Sequence, residues 1–235
     1  MALTRVTKTG NITVDGNVGI ETGTVTPRDA GASTLQIGGN GTRSAIKMHT
    51  SSSGTGSTDG LFLGYDSGPD FYILNSEANG EVKIGTNNSP GRLVIDASGR
   101  VTKPAHPAFF AVGNAGQTSY GSGAQIVIVN EQWDRNNNFS TSTGRFTAPV
   151  TGAYMFTYGF YSYEASKQFA IKLNNSDYVP SDTAGLIDAK NTSEMCNGTM
   201  LLYLTANDYV TVGYRSGNSG SVYLNHCWFG GYLIG

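Results

Sequence analysis

Histidine, cysteine and carboxylate side chains are the groups of this 235-residue chain that could perform catalysis or hold a metal. The three histidines, His49, His106 and His226, form neither an H-E-x-x-H motif nor another spacing typical of zinc ligands. The sequence also contains no G-x-S-x-G motif, which marks the nucleophilic serine of many hydrolases. The residue pattern therefore favours neither metal-dependent nor serine-based catalysis.

The carboxylates do not form a recognisable catalytic pair. An enzyme that cleaves polysaccharides needs two carboxyl groups about 5–10 Å apart. The aspartates instead lie mainly in segments that are typical of turns, namely Asp15, Asp66, Asp70, Asp96 and Asp182. Because turn formation accounts for these residues, we expect no enzymatic activity, no cofactor and no metal ion.

The remaining reactive side chains have structural explanations. His226 has apolar neighbours near the C-terminus, which favours a packed, hydrogen-bonded core histidine. A metal site or a pH switch, formed where three copies of His226 meet, stays open as an alternative. Cys196 and Cys227 lie far apart in the sequence, and two buried free thiols are favoured over a bond across two strands.

The overall composition limits the classes of partner. Charged residues make up 14% of the chain and the net charge is -2, so no basic surface for nucleic acid is expected. No segment approaches the ~18 consecutive apolar residues of a membrane helix, so we expect no membrane insertion. The opening segment MALTRVTKTGNITV lacks the apolar core of a signal peptide, which favours assembly in a cytoplasm.

The elements that position these residues are short strands. In GAYMFTYGF, aromatic residues occupy every second position from Tyr154 to Phe160, so they share one face of an extended strand. The other face is not polar, and VYLNHCWFGGYLI (222–234), interpreted as one strand, is likewise apolar on both faces. Because a sandwich buries only one face of each sheet, the surplus predicts a subunit interface and a homo-oligomer.

The two halves of the chain differ in pattern. Residues up to 103 contain short apolar segments separated by Gly, Asn and Asp, whereas the apolar runs after 108 are longer. The segment KPAHPA contains two prolines and predicts a connector at 104–107. The sequence therefore predicts an all-β protein with a Gly-rich β-hairpin region over 21–103 and a sandwich over 108–235.

Residues 128 to 158 resemble the signature of the complement C1q globular head, a jelly-roll relative of tumour necrosis factor. The signature is carried by Asp134, Phe139, Phe146, Gly152, Tyr154, Phe156 and Tyr158, and Ile128 replaces its leading Phe. The closing segment FGGYLI (229–234) is similar to the C-terminal strand of the same family. The resemblance implies a jelly-roll head over 108–235 that assembles as a homotrimer. We expect its core and trimer interface to contain Tyr154, Phe156, Tyr158, Trp228, Phe229 and Leu233.

The N-terminal half resembles a second family. The phrases GNVGIE, LQIGGNGTRSAIKM and VKIGTNNSPGRLVIDASGRVTK are similar to the shafts of tailed-bacteriophage fibres. The resemblance implies an intertwined β shaft over 21–103. Residues 1–20 would attach the fibre to other virion proteins, with Leu3 and Val6 as candidate attachment residues.

Asn-rich segments of the head are candidate receptor-contact loops, since polar side chains beside exposed aromatic rings suit sugar or protein surfaces. The candidate residues are Trp133, Arg135, Asn136, Asn137, Tyr178, Arg215 and Asn218. Together the two resemblances predict a trimeric phage fibre protein, located in the virion as a tail or capsid appendage. Its head would bind a host surface glycan or an outer-membrane component. Two alternatives remain, a capsid decoration or head fibre protein and a secreted C1q-like binding module.

Overall fold

The computed structural model describes residues 18–20, 35–37, 44–50, 52–53, 59–65, 70–179 and 186–235. The chain divides into two compact units, Met1–Thr102 and Lys103–Gly235. Within the described residues the regular elements are β-strands and one 3-10 turn, in line with the all-β prediction. No helix in these ranges is long and apolar enough to cross a membrane.

The N-terminal unit is built from short hairpins. Its strands are β1 (Val18–Ile20), β2 (Leu35–Ile37), β3 (Ser44–Met48), β4 (Leu61–Tyr65), β5 (Phe71–Asn75), β6 (Val82–Thr86), β7 (Ser89–Ile95) and β8 (Val101–Thr102). Strands β3, β4 and β5 form one antiparallel sheet, and β6, β7 and β8 form another. Each sheet pairs consecutive strands of the same chain, so the intertwining of several chains stays a prediction.

These two small sheets bury little apolar surface in the single chain. Large apolar side chains on both sheets are exposed, namely Ile46, Met48, Tyr65, Phe71, Ile73, Leu74, Ile84, Ile95 and Val101. A groove of about 620 Å³ between the sheets is lined by residues from both of them, including Ile73 and Ile84. The unit therefore has apolar faces that one copy leaves uncovered.

The C-terminal unit contains longer strands and one turn of 3-10 helix. Its strands are β9 (Ala108–Val112), β10 (Gln117–Tyr120), β11 (Asn130–Arg135), β12 (Phe139–Ser140), β13 (Arg145–Thr147), β14 (Gly152–Ser162), β15 (Lys167–Leu173), β16 (Ser176–Asp177), β17 (Leu186–Ala189), β18 (Glu194–Leu204), β19 (Tyr209–Tyr214), β20 (Gly220–Tyr223) and β21 (Trp228–Leu233). The 3-10 turn is Leu224–His226.

Two antiparallel sheets form the sandwich of this unit. The large sheet has seven strands, in the order β10-β20-β14-β21-β9-β11, with β18 along the other edge of β14. The second sheet has the order β12-β13-β19-β15-β16, and β17 also pairs with β15. Strand β14 runs opposite β18 for its full length, from the Gly152–Leu204 pair to the Ser162–Glu194 pair.

The core between the sheets is aromatic. The side chains of Tyr154, Phe156 and Phe160 on β14 are 0% exposed and Tyr158 is 1% exposed, as the alternation of the sequence predicts. Phe109 stacks on Phe139 with ring centroids 4.7 Å apart and on Phe146 at 5.0 Å. These rings bind the two sheets together, because burying each of them removes a large apolar surface from water.

The C-terminal segment differs from the sequence prediction. Residues 222–234 do not form one strand, because the 3-10 turn interrupts them after Tyr223. The turn changes the alternation, so Val222 points into the core while Trp228 lies on the opposite face. One continuous strand would have placed both residues on the same face, so the prediction of a single strand over 222–234 was wrong.

Candidate functional site

The surface of the large sheet that faces away from the core, called here the outer face, is unusually apolar. Its central strand β14 presents Ala153, Met155, Thr157, Gly159 and Tyr161 on this side, between buried neighbours that point inward. The partner strands add Phe110 on β9, Trp133 on β11, Trp228 and Tyr232 on β21, and Leu201 and Tyr203 on β18. Such a continuous apolar surface is typical of a site of association.

Two glycines allow aromatic rings to lie flat on the outer face. A Cβ on Gly159 would lie 2.3 Å from the Cη2 and Cζ2 atoms of Trp228, and one on Gly230 would lie 2.9 Å from Cδ2 of Phe110. Real Cβ atoms do not approach other atoms so closely, so each ring occupies the space of a missing side chain. The absence of side chains at the two glycines thus allows Trp228 and Phe110 to pack directly on the backbone of the sheet.

One half of the outer face is concave. A groove of about 150 Å³ lies there, lined mainly by Phe110, Trp133, Met155 and Tyr232. Trp133 is 51% exposed and Tyr232 is 42% exposed, so the groove is open to solvent in the single chain. The groove is suited to an apolar side chain from another molecule.

The other half of the outer face has exposed apolar side chains along its edge. Leu201 and Tyr203 on the edge strand β18 are 61% and 72% exposed. They point away from the core on the same side of the sheet as Met155 and Ala153, their partners in register. The outer face therefore has an apolar ridge along one edge and an apolar groove towards the other.

The residues predicted for the core and trimer interface divide between two places. Tyr154, Phe156, Tyr158 and Phe229 lie in the core, and Leu233 packs against it. Of that set, Trp228 alone lies on the outer face, and it is partly buried there. No interface role was predicted from the sequence for Phe110, Met155, Leu201, Tyr203 or Tyr232. The segment TMLLYL (199–204) could have indicated an interface strand, because it is apolar on both faces as β14 is.

The predicted receptor-contact residues form two separate groups. Trp133 was assigned to a loop, but the structure places it in strand β11 and on the outer face. Arg135, Asn136 and Asn137 are exposed at the turn that follows, and both asparagines have positive φ angles, 74° and 55°. Asn is one of the residues that tolerate this conformation, so turn formation explains these two positions.

The second group surrounds strand β15. Arg215 donates from Nη1 to Oε1 of Gln168 at 2.7 Å, and Oδ1 of Asn218 accepts from the Gln168 backbone amide at 3.2 Å. Tyr178 is half-buried against the core. Its neighbour Asp177 accepts from the backbone amide of Ser216 at 2.6 Å. The segment that contains Tyr178 therefore contacts the turn that contains Arg215 and Asn218. Leu3 and Val6, predicted for virion attachment, lie outside the described residues.

The carboxylates of the head form turns and caps. Oδ2 of Asp134 accepts from the Phe139 backbone amide at 2.7 Å, which closes the turn after β11, and burial raises the pKa of this carboxyl group. In the N-terminal unit, hydrogen bonds from the backbone and side chain of Arg100 lower the pKa of Asp96. Among the described residues, no group of three or more His, Cys, Asp or Glu side chains is placed to hold a metal ion.

His226 and the cysteines have different environments. His226 is exposed at the end of the 3-10 turn, so the prediction of a packed core histidine was wrong. Cys196 and Cys227 are buried free thiols, as the sequence favoured. Burial raises the pKa of Cys196 to about 12 and that of Cys227 to about 11, so both stay protonated at neutral pH.

Residues 108–234, which include every strand of the sandwich, match the family model of the C1q domain. The chain belongs to the C1q domain family. The C1q signature residues of this chain are structural: Tyr154 donates from its hydroxyl to the carbonyl of Val150 at 2.7 Å. A Cβ on Gly152 would come within 2.9 Å of Leu233. The signature thus explains how the C1q head folds and identifies no ligand.

Solved structures of similar fold include C1q and tumour necrosis factor-like proteins. The globular domain of zebrafish complement 1qA is 21% identical, covers 55% of this chain and 98% of its own, and has a TM-score of 0.44. Eiger TNF from S. frugiperda is 15% identical over 56% of this chain and 94% of its own, with a TM-score of 0.45. Murine APRIL is 12% identical over 55% and 99%, with a TM-score of 0.41. A comparison with curated protein sequences finds no match.

Proposed function

We propose that the protein is a trimeric fibre protein of a tailed-phage virion whose C1q head binds the host cell surface. The observation that carries the proposal is the apolar outer face of the large sheet, with its ridge at Leu201 and Tyr203 and its groove beside Trp133. A single copy leaves these residues in water, whereas association of copies through this face covers them.

The ridge and the groove favour a ring of three copies. They lie towards opposite edges of one face, so the ridge of one copy can enter the groove of the next. A contact between two different patches of the same subunit is heterologous, and such contacts form a closed ring when the rotation returns to the first subunit. Domains of the C1q and tumour necrosis factor type commonly close this ring at three subunits.

Binding is the activity that fits such a head. C1q and tumour necrosis factor-like domains are generally non-enzymatic binding or signalling modules. The carboxylate of Asp96 accepts from the backbone amides of Ser98 and Arg100, and that of Asp134 accepts from the backbone amide of Phe139, so both hold turns of this chain. Three copies of a weak binding site on one particle also gain from avidity, so modest affinity at each site is sufficient for attachment.

The N-terminal unit supports the fibre part of the proposal. Its phrases resemble fibre shafts, and its two small sheets expose apolar side chains such as Ile73 and Ile84. Strands with so little core are usually stabilised by stacking on further copies or repeats. In the proposal this unit forms the shaft, the first twenty residues contact other virion proteins, and the target of the head is a surface glycan or an outer-membrane component.

Immunogold electron microscopy tests the proposed location. The sample is purified virions of the phage that would encode this chain. An antibody raised against residues 108–235 should label the tail. Labelling over the capsid would instead indicate the alternative of a decoration or head fibre protein. Particles without any label, with the protein found free in the medium, would contradict the virion proposal and favour the secreted C1q-like binding module.

A further inference from the structure

Four rings cluster at one end of the outer face, away from the ridge and the groove. Tyr161 contacts Tyr163 at a ring-centroid distance of 5.7 Å and His226 at 5.4 Å. Tyr223 lies 6.0 Å from Tyr163 and 4.9 Å from His226. We call these four residues the tyrosine cluster. Tyr161 is near the C-terminal end of β14 and Tyr163 follows that strand, whereas Tyr223 belongs to β20 and His226 to the 3-10 turn.

The cluster lies at the end of the head opposite Ala108 and Leu233, where the sandwich begins and ends. Ala108, at the start of the sandwich, pairs with Tyr232, which in turn pairs with Met155. Leu233, at its end, pairs with Tyr154. Tyr161 lies seven residues further along β14, which corresponds to about 23 Å at the usual rise of a strand. The cluster and the two ends of the sandwich therefore lie at opposite ends of strand β14.

The polar atoms of the cluster are free to bind a ligand. Among the described residues, no side-chain hydrogen bond is made by Tyr161, Tyr163, Tyr223 or His226, although all four rings are packed against one another. Asn225 is exposed beside them on the 3-10 turn and its side-chain amide is also unpaired. The core tyrosine Tyr154 shows the contrast, because its hydroxyl donates to the Val150 carbonyl.

The charge around the cluster favours a neutral ligand. The two charged residues that follow Tyr163, Glu164 and Lys167, pair with each other at 2.9 Å. Within the described ranges, the cation–ring contacts are at Phe62 and Tyr209, so no Lys or Arg covers the cluster. Burial, together with the neighbouring tyrosines, raises the pKa of the Tyr163 hydroxyl, so this phenol stays a neutral donor and acceptor.

We propose that the tyrosine cluster is a binding site for a neutral glycan. Aromatic faces pack against the C–H faces of a sugar ring, while phenol, imidazole and amide groups exchange hydrogen bonds with its hydroxyls. The inference rests on the proposed binding function of the head and names the place and the ligand class. It differs from the groove on the same sheet, whose lining offers hydrocarbon and few polar atoms.

Binding of the full chain to an array of neutral oligosaccharides tests the inference. The probes end in glucose, galactose, mannose, N-acetylglucosamine or N-acetylgalactosamine. Wild-type protein should bind at least one probe, and Tyr163→Ala combined with Tyr223→Ala should weaken that binding about tenfold or more. Tyr163→Phe, which keeps the ring and removes the hydroxyl, should weaken it less. Tyr65→Ala, an exposed tyrosine of the N-terminal unit, is the matched control and should bind as wild type does.

Light scattering on each variant separates this inference from the proposed function. Loss of glycan binding by variants that keep the wild-type mass supports the cluster as a site. Variants that dissociate into single chains would show that the cluster is a subunit contact and would overturn the inference. A trimeric wild type that binds no neutral probe, or variants that bind equally well, would also overturn it while leaving the trimer intact. A monomeric wild type with tyrosine-dependent glycan binding would support the inference and contradict the proposed trimer.

Discussion

Glycine at position 159 allows the indole of Trp228 to lie flat against strand β14. The ring carbons occupy the place where any other residue would carry its Cβ, at 2.3 Å. Gly159 therefore controls the position of a large aromatic ring on the outer face, although it has no side chain of its own. The residue is buried, while Trp228 is partly covered.

Gly159→Ala should displace the Trp228 ring and disturb the outer face without removing any apolar residue. Overpacking of this kind costs about 1–3 kcal/mol, so thermal unfolding should occur at a lower temperature and the trimer should be weaker. Gly121→Ala is the matched control, because a Cβ there would meet nothing within 4 Å. Equal melting temperatures for the two variants would show that the indole does not need the space above Gly159.

The buried thiols give a prediction about pH. In the folded chain the pKa of Cys196 rises to about 12 and that of Cys227 to about 11, from an ordinary value of 9.0, and burial is the main cause. Above pH 9 the unfolded chain loses these protons first, which stabilises the unfolded state. The contribution of the thiols to stability is thus complete below pH 9 and is lost as the pH rises towards 12.

Thermal melts between pH 7 and pH 11 check this prediction. The melting temperature should fall above pH 9, and the Cys196→Ala, Cys227→Ala double variant should show a smaller fall. At pH 8 an aromatic disulfide reagent should modify the thiols only after denaturant is added. Rapid modification of both thiols in the folded protein would contradict their burial.

Neighbouring residues in the chain show what the sequence could and could not predict. The alternation of Tyr154, Phe156 and Tyr158 identified one buried face of a strand correctly, because period two is a direct consequence of strand geometry. Trp228 and Phe229 could not be separated in the same way. Both are large and apolar, and only the position of the 3-10 turn determines that Phe229 points inward and Trp228 outward.

Strand β18 is the element on which the proposed assembly depends most. Its inward residues, including Leu202 and Leu204, belong to the core, so the strand is fixed to the sandwich. Its outward residues Leu201 and Tyr203 are among the most exposed large apolar side chains of the chain. In a ring of copies the groove of a neighbour would cover this edge, which would remove its apolar side chains from water.

The Leu201→Asp, Tyr203→Asp double variant should separate the trimer into folded single chains. Two charges would be placed in an apolar contact while the core residues of β18 remain unchanged, so the dissociation constant should rise at least about 100-fold. Sedimentation velocity gives the mass and circular dichroism reports whether the strands are retained. Thr147→Asp, an exposed strand residue of the second sheet, is the control and should stay trimeric. A double variant that keeps the wild-type mass would exclude β18 from the interface.

Elements were predicted from sequence more completely than the site that they build. The all-β class followed from turn residues and apolar runs, and the described residues form β-strands and one 3-10 turn. The groove was not predicted, because Phe110, Met155 and Tyr232 come from strands distant in sequence that meet only in the sheet order β14-β21-β9. The register of those strands determines which side chains become neighbours.

The molecule as a whole combines a C1q head with a Gly-rich region of hairpins. The head has a complete aromatic core and could fold as one sandwich, but its outer face is left apolar. The small sheets of the N-terminal unit likewise expose apolar residues such as Ile46 and Phe71. Each unit therefore has surplus apolar surface of its own, which association of copies would cover.

Multi-angle light scattering of the purified full chain at low micromolar concentration tests this account most directly. Association through the outer face predicts a single species with about three times the 24.8 kDa mass of the chain. Dilution into the nanomolar range, followed by mass photometry, should leave that species intact. A folded, soluble particle with the mass of one chain would contradict the account, since the ridge at Leu201 and the groove at Trp133 would then remain in water.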